Sequence, residues 1–305
     1  MSAIKNSLSI VAALVAGTLV AVQSRLNGEL GLALTDGVTA ALYSFSSGWL
    51  LIALVTLFSP RARRGLHRIL LLVKTGQVPL WMLLGGAFGG FLVMTQGLTA
   101  GALGIALFTV AVVAGQSISA IAIDSKGWFG VTKRKLNLSR VLGAVIVVLG
   151  VALAAESPAP TTIALLALPF LGGLGLGFQQ AANGGVRIHT ESAIAATFLN
   201  FAMGSAFLFI AKLVSLPLNG IPSALPSSWW LYVGGFTGVV FIAVQVVVVA
   251  RIGVLALGLL LGTGQLVGAL LLDLLTPLPG QTITFAHIAG VLIALIGAML
   301  VNLKR

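Results

Sequence analysis

Amide side chains at matched spacing are the residues of this chain best suited to binding a ligand. Gln23 and Asn27 lie four residues apart near the end of the first long apolar run, and Gln179 and Asn183 repeat this spacing at an offset of 156. Residues four apart in a helix share one face. Because glutamine and asparagine both donate and accept hydrogen bonds, each pair can bind polar groups of a small solute.

Further polar side chains recur with the same regularity. Gln116 and Gln265 differ by 149 and lie about 5 Å beyond the midpoints of two later apolar runs. An unpaired amide at that depth in a membrane is strongly unfavourable. The partner of each is therefore either a neighbouring helix or a water-filled cavity that holds a solute. In the second case we expect Gln116 and Gln265 to face a shared cavity between the halves, with the Gln23 and Asn27 pair near one mouth and the Gln179 and Asn183 pair near the other. Ser44, its counterpart Asn200 and the adjacent Tyr43 are the other candidates for a binding site.

The composition of the chain is that of an integral membrane protein. Of its 305 residues 58% are apolar and 8% are charged, and the mean hydropathy is +1.12. The net charge of +11 bears on which loops stay in the cytoplasm, so the expected partners are a lipid bilayer and a small molecule, with no nucleic acid. With no cysteine and three scattered histidines, we expect neither a metal site nor a cofactor.

Apolar windows divide the chain into spans. Each window is about 18 to 22 residues long, which at about 1.5 Å of rise per residue crosses a hydrocarbon core of about 30 Å. The pattern predicts ten transmembrane helices, at residues 8–27, 38–58, 78–98, 102–123, 138–155, 162–183, 193–214, 229–250, 252–272 and 286–303.

The two halves of the chain correspond residue by residue. Counterparts differ by 156 in the first two predicted helices of each half, by 149 in the next two and by 147 in the last, as for Gly143 and Gly290. Residues 1–156 and residues 157–305 are therefore predicted to form two five-helix repeats. Because five is odd, the second repeat enters the membrane from the opposite side. The predicted fold class is an all-α membrane protein of two inverted repeats.

The basic residues test this arrangement independently. With ten spans, 15 of the 17 lysines and arginines fall on one side of the membrane, and only Arg25 and Lys212 fall on the other. Loops rich in lysine and arginine remain in the cytoplasm. We therefore expect both termini in the cytoplasm and the linker at residues 156–161 outside.

Glycines and acids within the apolar runs have structural interpretations. The segment at residues 172–177, GGLGLG, lies inside an apolar span and not at the start of a helix after a strand, so it indicates close helix packing and not dinucleotide binding. Two acids close the fourth and ninth helices. They are predicted to form helix-end pairs, Asp124 with Arg140 and Asp273 with His287. Arg25 can pair with Glu29 at i+4.

Three sequence features carry a family resemblance. They are the matched segments VQSRLNG and FQQAANG, the GQ-x7-D segments that run from Gly115 to Asp124 and from Gly264 to Asp273, and the R-x2-G-x6-G pattern that begins at Arg140. With these features the chain resembles, over essentially its whole length, the YdcZ-like family of the drug/metabolite transporter superfamily.

This resemblance implies a ten-helix bundle that works by alternating access, with two fused copies of a unit that elsewhere in the family is a separate small protein. Fusion of the two copies makes a monomer sufficient. The related small multidrug resistance proteins carry a glutamate within their first helix, and no acid occupies the apolar span of helix 1 or helix 6 here. A proton-for-cation mechanism therefore does not transfer.

Taken together, these features indicate a secondary transporter of small organic solutes in the cytoplasmic membrane, working as an exporter. The alternative is a passive channel built on inverted repeats, although a channel favours a continuous polar stripe or charged rings and the amides here are isolated. An enzyme is not expected, because the sequence has no H-E-x-x-H or G-x-S-x-G motif and no central pair of acids.

Overall fold

The chain folds into helices, in a computed structural model that describes residues 2–128, 133, 138–154, 160–222, 224–252, 254–278 and 283–300. The described residues form helices and connecting turns and no strand. The α-helices, in chain order, are α1 Ser2–Leu34, α2 Gly37–Leu57, α3 Pro60–Lys74, α4 Gly85–Thr95, α5 Gly101–Leu103, α6 Ile105–Lys126, α7 Leu138–Ala154, α8 Pro160–Thr190, α9 Ala193–Asn219, α10 Gly234–Ile252, α11 Val254–Leu275 and α12 Phe285–Leu300.

Within the described part of the chain, seven segments are helical, long and apolar enough to cross a membrane. They are Ser7–Leu34, Gly37–Leu57, Leu80–Leu103, Ile105–Lys126, Ile163–Thr190, Ala193–Asn219 and Trp229–Val249. Three shorter apolar helices also occur among the described residues, at Val141–Ala154, Leu260–Leu275 and Phe285–Leu300. The chain is thus an all-helical protein with several apolar spans, and the count of ten transmembrane helices stays a prediction.

The first span of each half continues well beyond its apolar window. The windows ended at residues 27 and 183, whereas α1 continues to Leu34 and α8 continues to Thr190. One face of each extension is buried, through Leu30 and Leu34 in α1 and through Val186 and Thr190 in α8. Packing against the rest of the bundle therefore stabilises helix beyond the point where the sequence becomes more polar.

The helices that pack most closely do so through glycine. A Cβ on Gly17 would lie 2.1 Å from the carbonyl oxygen of Leu261, which brings α1 against α11. In the same way, a Cβ on Gly173 would lie 2.0 Å from the carbonyl oxygen of Val112, which brings α8 against α6. Gly173 belongs to the GGLGLG segment, so this segment packs helices, as small residues do in membranes.

A short basic helix lies between α2 and the next span. The Ser59 side chain accepts a hydrogen bond from Ala62 N at the start of α3, and Pro60 occupies the first turn. Gly65 in the middle of α3 packs against the carbonyl oxygen of Thr190 at the end of α8. The apolar windows did not resolve this helix, because its 15 residues are too short and too charged for a span.

Arg25 and Lys212 are the two basic residues that the charge count separates from the other 15, and each pairs with an acid. Lys212 Nζ lies 2.6 Å from Asp36 Oδ2, and both side chains are largely buried. Arg25 forms the expected i+4 ion pair with Glu29 and lies 3.9 Å from Asp273. These two cations therefore do not act as free interfacial charges.

Asp36 also starts α2. Its carboxylate accepts hydrogen bonds from Thr39 N and Thr39 Oγ1 as well as from Lys212. Burial alone would raise the pKa of Asp36, but the hydrogen bonds from Lys212 and Thr39 hold this pKa below its ordinary value. The ionised form is therefore the one that stabilises the turn between α1 and α2.

We predict that Asp36 makes protein stability depend on pH in the acid range. A lowered pKa in the folded state contributes stability above the unfolded value near pH 4, and this contribution is lost as the pH falls through the folded value. Asp36→Asn should lower the unfolding temperature in mild detergent at pH 7, and the gap to the wild-type protein should shrink below about pH 4. A gap that stays constant with pH would contradict this role for the Asp36 charge.

Candidate functional site

All the amides predicted for the site are buried in the bundle, and they fall into separate groups. Gln23 and Asn27 lie in α1, Gln179 and Asn183 in α8, Asn200 in α9, Gln116 in α6 and Gln265 in α11. Ser44 is also buried, in α2. Tyr43 differs, because its side chain is 39% exposed and packs edge-on against Tyr232. The structure therefore does not bring Tyr43 to the buried amides.

A narrow internal cavity lies between α1, α2, α4, α8, α9 and α10. We call it the central cavity, and its wall includes Gln23, Gln179, Phe45, Phe201, Gly89 and Gly238. These six residues are three pairs of counterparts in the two halves, at the offsets of 156 and 149. The rest of the wall is aliphatic or aromatic. The free volume is about 10 Å³, roughly the space of one water molecule, so the cavity is closed in this conformation.

The two phenylalanines of the wall pack against each other. The ring centroids of Phe45 and Phe201 are 4.8 Å apart with the planes tilted by 35°. Each ring also fills the space beside a glycine of the opposite helix, Phe45 beside Gly204 and Phe201 beside Gly48. Through this reciprocal packing of phenylalanine on glycine, α2 contacts α9 beside the central cavity.

The two glutamines of the wall are oriented by their amide nitrogens. Gln23 Nε2 donates to the carbonyl oxygen of Gly234 at 3.0 Å, and Gln179 Nε2 donates to Asn200 Oδ1 at 3.0 Å. Each amide lies flat against a glycine, Gln23 against Gly238 and Gln179 against Gly89. Any side chain at these glycines would collide with the amide, so the glycines make room for this arrangement.

The asparagines of the two halves have different partners. Asn27 Nδ2 donates to Gln96 Oε1 at 2.7 Å, whereas Asn183 Nδ2 donates to Asn200 Oδ1 at 2.8 Å. The counterpart of Gln96 in the second half is Gln245, and neither polar atom of its buried side chain has a hydrogen-bond partner among the described residues. The same set of amides is thus connected in two different ways.

The backbone differs at the same place. After α4 the first half forms a π turn at Gln96–Ala100, while α10 runs unbroken through the corresponding residues of the second half. A π turn inserts one extra residue into a helix and reorients the side chains around it. In this chain it accompanies the contact of Gln96 with Asn27.

Gln116 and Gln265 lie away from the wall of the central cavity. Gln116 Nε2 donates to the carbonyl oxygen of Gly258 at 3.3 Å, and Gln265 has no hydrogen-bond partner among the described residues. The sequence prediction located these two at the centre and put Gln23 and Gln179 near the mouths. The structure instead lines the central cavity with Gln23 and Gln179, because the paths of α1 and α8 through the bundle cannot be read from their sequences.

Three buried glutamines were not predicted as site residues. Gln96 and Gln245 match at the offset of 149, which marks them as a pair in the sequence but does not show that they approach the asparagines. Gln180 lies next to Gln179, and both of its polar atoms lack a hydrogen-bond partner among the described residues. Its counterpart is Ser24, so the comparison of the halves does not draw attention to it.

The predicted pair of Asp273 and His287 is wrong. The carboxylate of Asp273 accepts hydrogen bonds from Ile105 N and Ala106 N at the start of α6, at 3.2 and 2.7 Å. His287 instead contacts the Thr284 hydroxyl within its own segment. The backbone N–H groups at a helix start have no partner within the helix and lie at the positive end of its dipole, so they bind a carboxylate. The side chain of Arg140, the predicted partner of Asp124, lies outside the described residues.

A family model described as "Putative inner membrane exporter, YdcZ" matches the chain twice, at residues 8–153 and at residues 164–300. The chain belongs to this family. The two matched segments correspond to the two halves identified from the sequence, as expected for a form with two repeats, and the predicted family is confirmed. The chain is thus a membrane protein of a family described as an exporter.

Comparison with solved structures supports the fold. A structure described only as "Crystal structure of protein" aligns with 97% of this chain and 96% of its own, with a TM-score of 0.58 and 16% sequence identity. At that identity the likeness concerns the fold alone. No curated protein matches the chain.

We predict that the counterparts Asn200 and Ser44 differ sharply in their contribution to stability. Asn200→Ala removes the acceptor of two buried amide donors, those of Gln179 and Asn183, and should cost about 2–5 kcal/mol. Ser44→Ala is the matched control, because Ser44 Oγ has no hydrogen-bond partner among the described residues, and this variant should stay within about 1 kcal/mol of the wild-type protein. Equal unfolding curves for the two variants would contradict the hydrogen-bond assignment.

Proposed function

We propose that the protein is a secondary transporter that exports small organic solutes across the cytoplasmic membrane by alternating access. The observation that carries this proposal is the closed central cavity. Its wall contains Gln23 with Gln179, Phe45 with Phe201, and Gly89 with Gly238, and each pair consists of counterparts from the two halves. Inverted-repeat transporters bind their substrate at such a junction. Export as the direction rests on the description of the family.

Reciprocal contacts support two inverted repeats, residues 1–156 and 157–305, as the working units. A Cβ on Gly264 would meet the carbonyl oxygen of Leu14, and a Cβ on Gly115 would meet that of Phe170, each at 2.0 Å. These contacts are counterparts, at offsets of 149 for the glycines and 156 for their partners. Two packing surfaces of the same design, one on each side of the central cavity, would allow one unit to rock against the other.

The unequal pairing of the amides supports two alternating states. Asn27 holds Gln96 in the first half, and Asn183 is turned toward Asn200 in the second half. If the halves exchange conformations, Asn183 acquires Gln245 as its partner and Asn27 releases Gln96. Each half then closes one end of the central cavity in turn, and one monomer in the bilayer is sufficient.

The distribution of charge supports cytoplasmic termini. The exposed arginines of α3 and the basic residues at the ends of the chain belong to the majority side of the charge count. The two exceptions, Arg25 and Lys212, are paired with acids and so lose their influence on orientation.

Counterflow in proteoliposomes separates this proposal from a passive channel. A ligand is first found by thermal-shift screening of a metabolite library on the purified protein, and vesicles are then loaded with unlabelled ligand and placed in a trace of labelled ligand. A carrier accumulates label transiently and saturates, because the two ligands exchange through one site. Uptake that is linear in concentration and shows no overshoot would contradict a carrier and favour a channel.

Gln23→Leu and Gln179→Leu test the location of the site in the same assay. Each removes one hydrogen-bonding group from the wall of the central cavity, so each should raise the half-saturating concentration about tenfold, the equivalent of about 1.4 kcal/mol. Unchanged half-saturation in both variants would place the site elsewhere.

A further inference from the structure

The hydrogen-bonding polarity of the central cavity can be read from the amides in its wall. Gln23 donates its NH2 group to a backbone carbonyl, which can only accept, so its amide cannot be turned around without loss of this bond. Gln179 donates to Asn200 Oδ1, which also accepts from Asn183. Asn200 Oδ1 thus accepts hydrogen bonds from two N–H groups, one for each of its lone pairs, and in this arrangement the oxygen of Gln179 is left without a donor.

The consequence is that each NH2 group of the wall already makes one of its two possible hydrogen bonds, whereas neither carbonyl oxygen makes any with the described residues. Gln179 Oε1 has no hydrogen-bond partner among the described residues. Gln23 Oε1 also accepts no hydrogen bond from the described residues. Unlike Gln179 Oε1, it is not fully buried. The residues of the wall therefore carry two carbonyl oxygens without a partner among the described residues, one from each half, and in this conformation that of Gln179 is shielded from solvent.

The remainder of the wall excludes charge. No ionisable side chain belongs to it among the described residues, and its other members are glycine, phenylalanine and aliphatic residues. An anion there would face two carbonyl oxygens. A cation would leave water without a carboxylate to receive it, at a large cost in an apolar interior.

Aromatic surface supplies the rest of the recognition. Phe45 and Phe201 present rings to the central cavity, and Phe241 is a third aromatic member of the wall. A flat apolar ligand can stack on or pack edge-on against such rings. The space is now closed to about one water molecule, so a ligand of this kind enters only as the two halves separate.

We propose that the central cavity selects small neutral molecules that carry an N–H or O–H donor on a flat, apolar body. This inference rests on the proposed function as a carrier and specifies the class of its substrate. The donor of the ligand binds the free oxygen of Gln23 or Gln179, and the body packs against the phenylalanines. In an exchange between states, the donor passes from one glutamine to its counterpart.

Indole and 1-methylindole form a suitable pair of probes, because they differ only in replacement of the N–H hydrogen by a methyl group. Binding of each to the purified full-length protein is measured by isothermal titration calorimetry. Indole should bind about fivefold to tenfold more tightly, the equivalent of one hydrogen bond. Indole-3-carboxylate, an anion, should bind more weakly than indole.

Variants separate recognition by the glutamines from simple partition into detergent. The double variant Gln23→Leu and Gln179→Leu should lose the preference for indole, leaving less than a twofold difference. Gln180→Leu is the control, since this glutamine is buried but does not belong to the wall of the central cavity, and it should keep the full preference. Partition into detergent is the same in all these proteins.

Equal binding of the two probes by the wild-type protein, no binding of indole, or a preference that survives in the double variant would overturn the inference. Counterflow distinguishes these results from failure of the carrier itself. Saturable counterflow of another ligand without any preference for donors would leave the transporter intact and remove its substrate class. A clear preference for indole without counterflow would support the class of ligand and contradict transport by a carrier.

Discussion

Every amide in the middle of this bundle needs a hydrogen-bond partner from the protein or from a ligand, because hydrocarbon provides none. This constraint connects helices that are far apart in the sequence, as Gln23 of α1 binds the start of α10 and Gln179 of α8 binds Asn200 of α9. It also leaves some polar atoms without a hydrogen-bond partner among the described residues. The amide nitrogens of Gln23 and Gln179 find acceptors within the protein, while their oxygens have no partner among the described residues, and both glutamines belong to the wall of a cavity that the two halves build together.

The same constraint gives the molecule two ways to arrange one set of side chains. Asn27 and Asn183 are counterparts, yet one binds a glutamine of the following span and the other binds an asparagine of the neighbouring helix. Alternating access requires the two arrangements to be similar in energy. A difference of one hydrogen bond, about 1 kcal/mol, is small enough for a ligand to reverse. The π turn at Gln96–Ala100 accompanies the contact of Asn27 with Gln96, and the second half has no such turn at the corresponding residues of α10.

Much of this could be predicted from the sequence, because the physical signals were strong. Apolar runs indicate spans, and the offsets of 156 and 149 pair Gln23 with Gln179 and Gln96 with Gln245 without any knowledge of the fold. The choice of partner could not be predicted in the same way. Gln116 looked central because depth along a helix can be counted, but the direction of its side chain depends on the rotation of α6 against α8 and α11. Glycine contacts set that rotation, and they are only seen in three dimensions.

Asp273 shows the same limit for charges. Its position after an apolar run indicates a helix-end acid, and the nearest complementary residue along the sequence is His287. The group it binds is the start of α6, about 168 residues away in the chain, together with a longer contact to Arg25. Neutral backbone amides carry no signal in a sequence, so a carboxylate that caps a distant helix is mistaken for half of a local pair.

Side-specific labelling tests the alternation of the two ends most directly, since the chain contains no cysteine. Leu30→Cys and Val186→Cys place single thiols at counterpart positions, one turn beyond Asn27 and Asn183, where both native residues are buried. In sealed vesicles, a membrane-impermeant maleimide should reach the two thiols from opposite sides, each slowly. Gln96→Leu, which deprives Asn27 of its partner, should speed the reaction at residue 30 and slow it at residue 186. Labelling of both thiols from one side, or rates that rise together, would contradict alternating access.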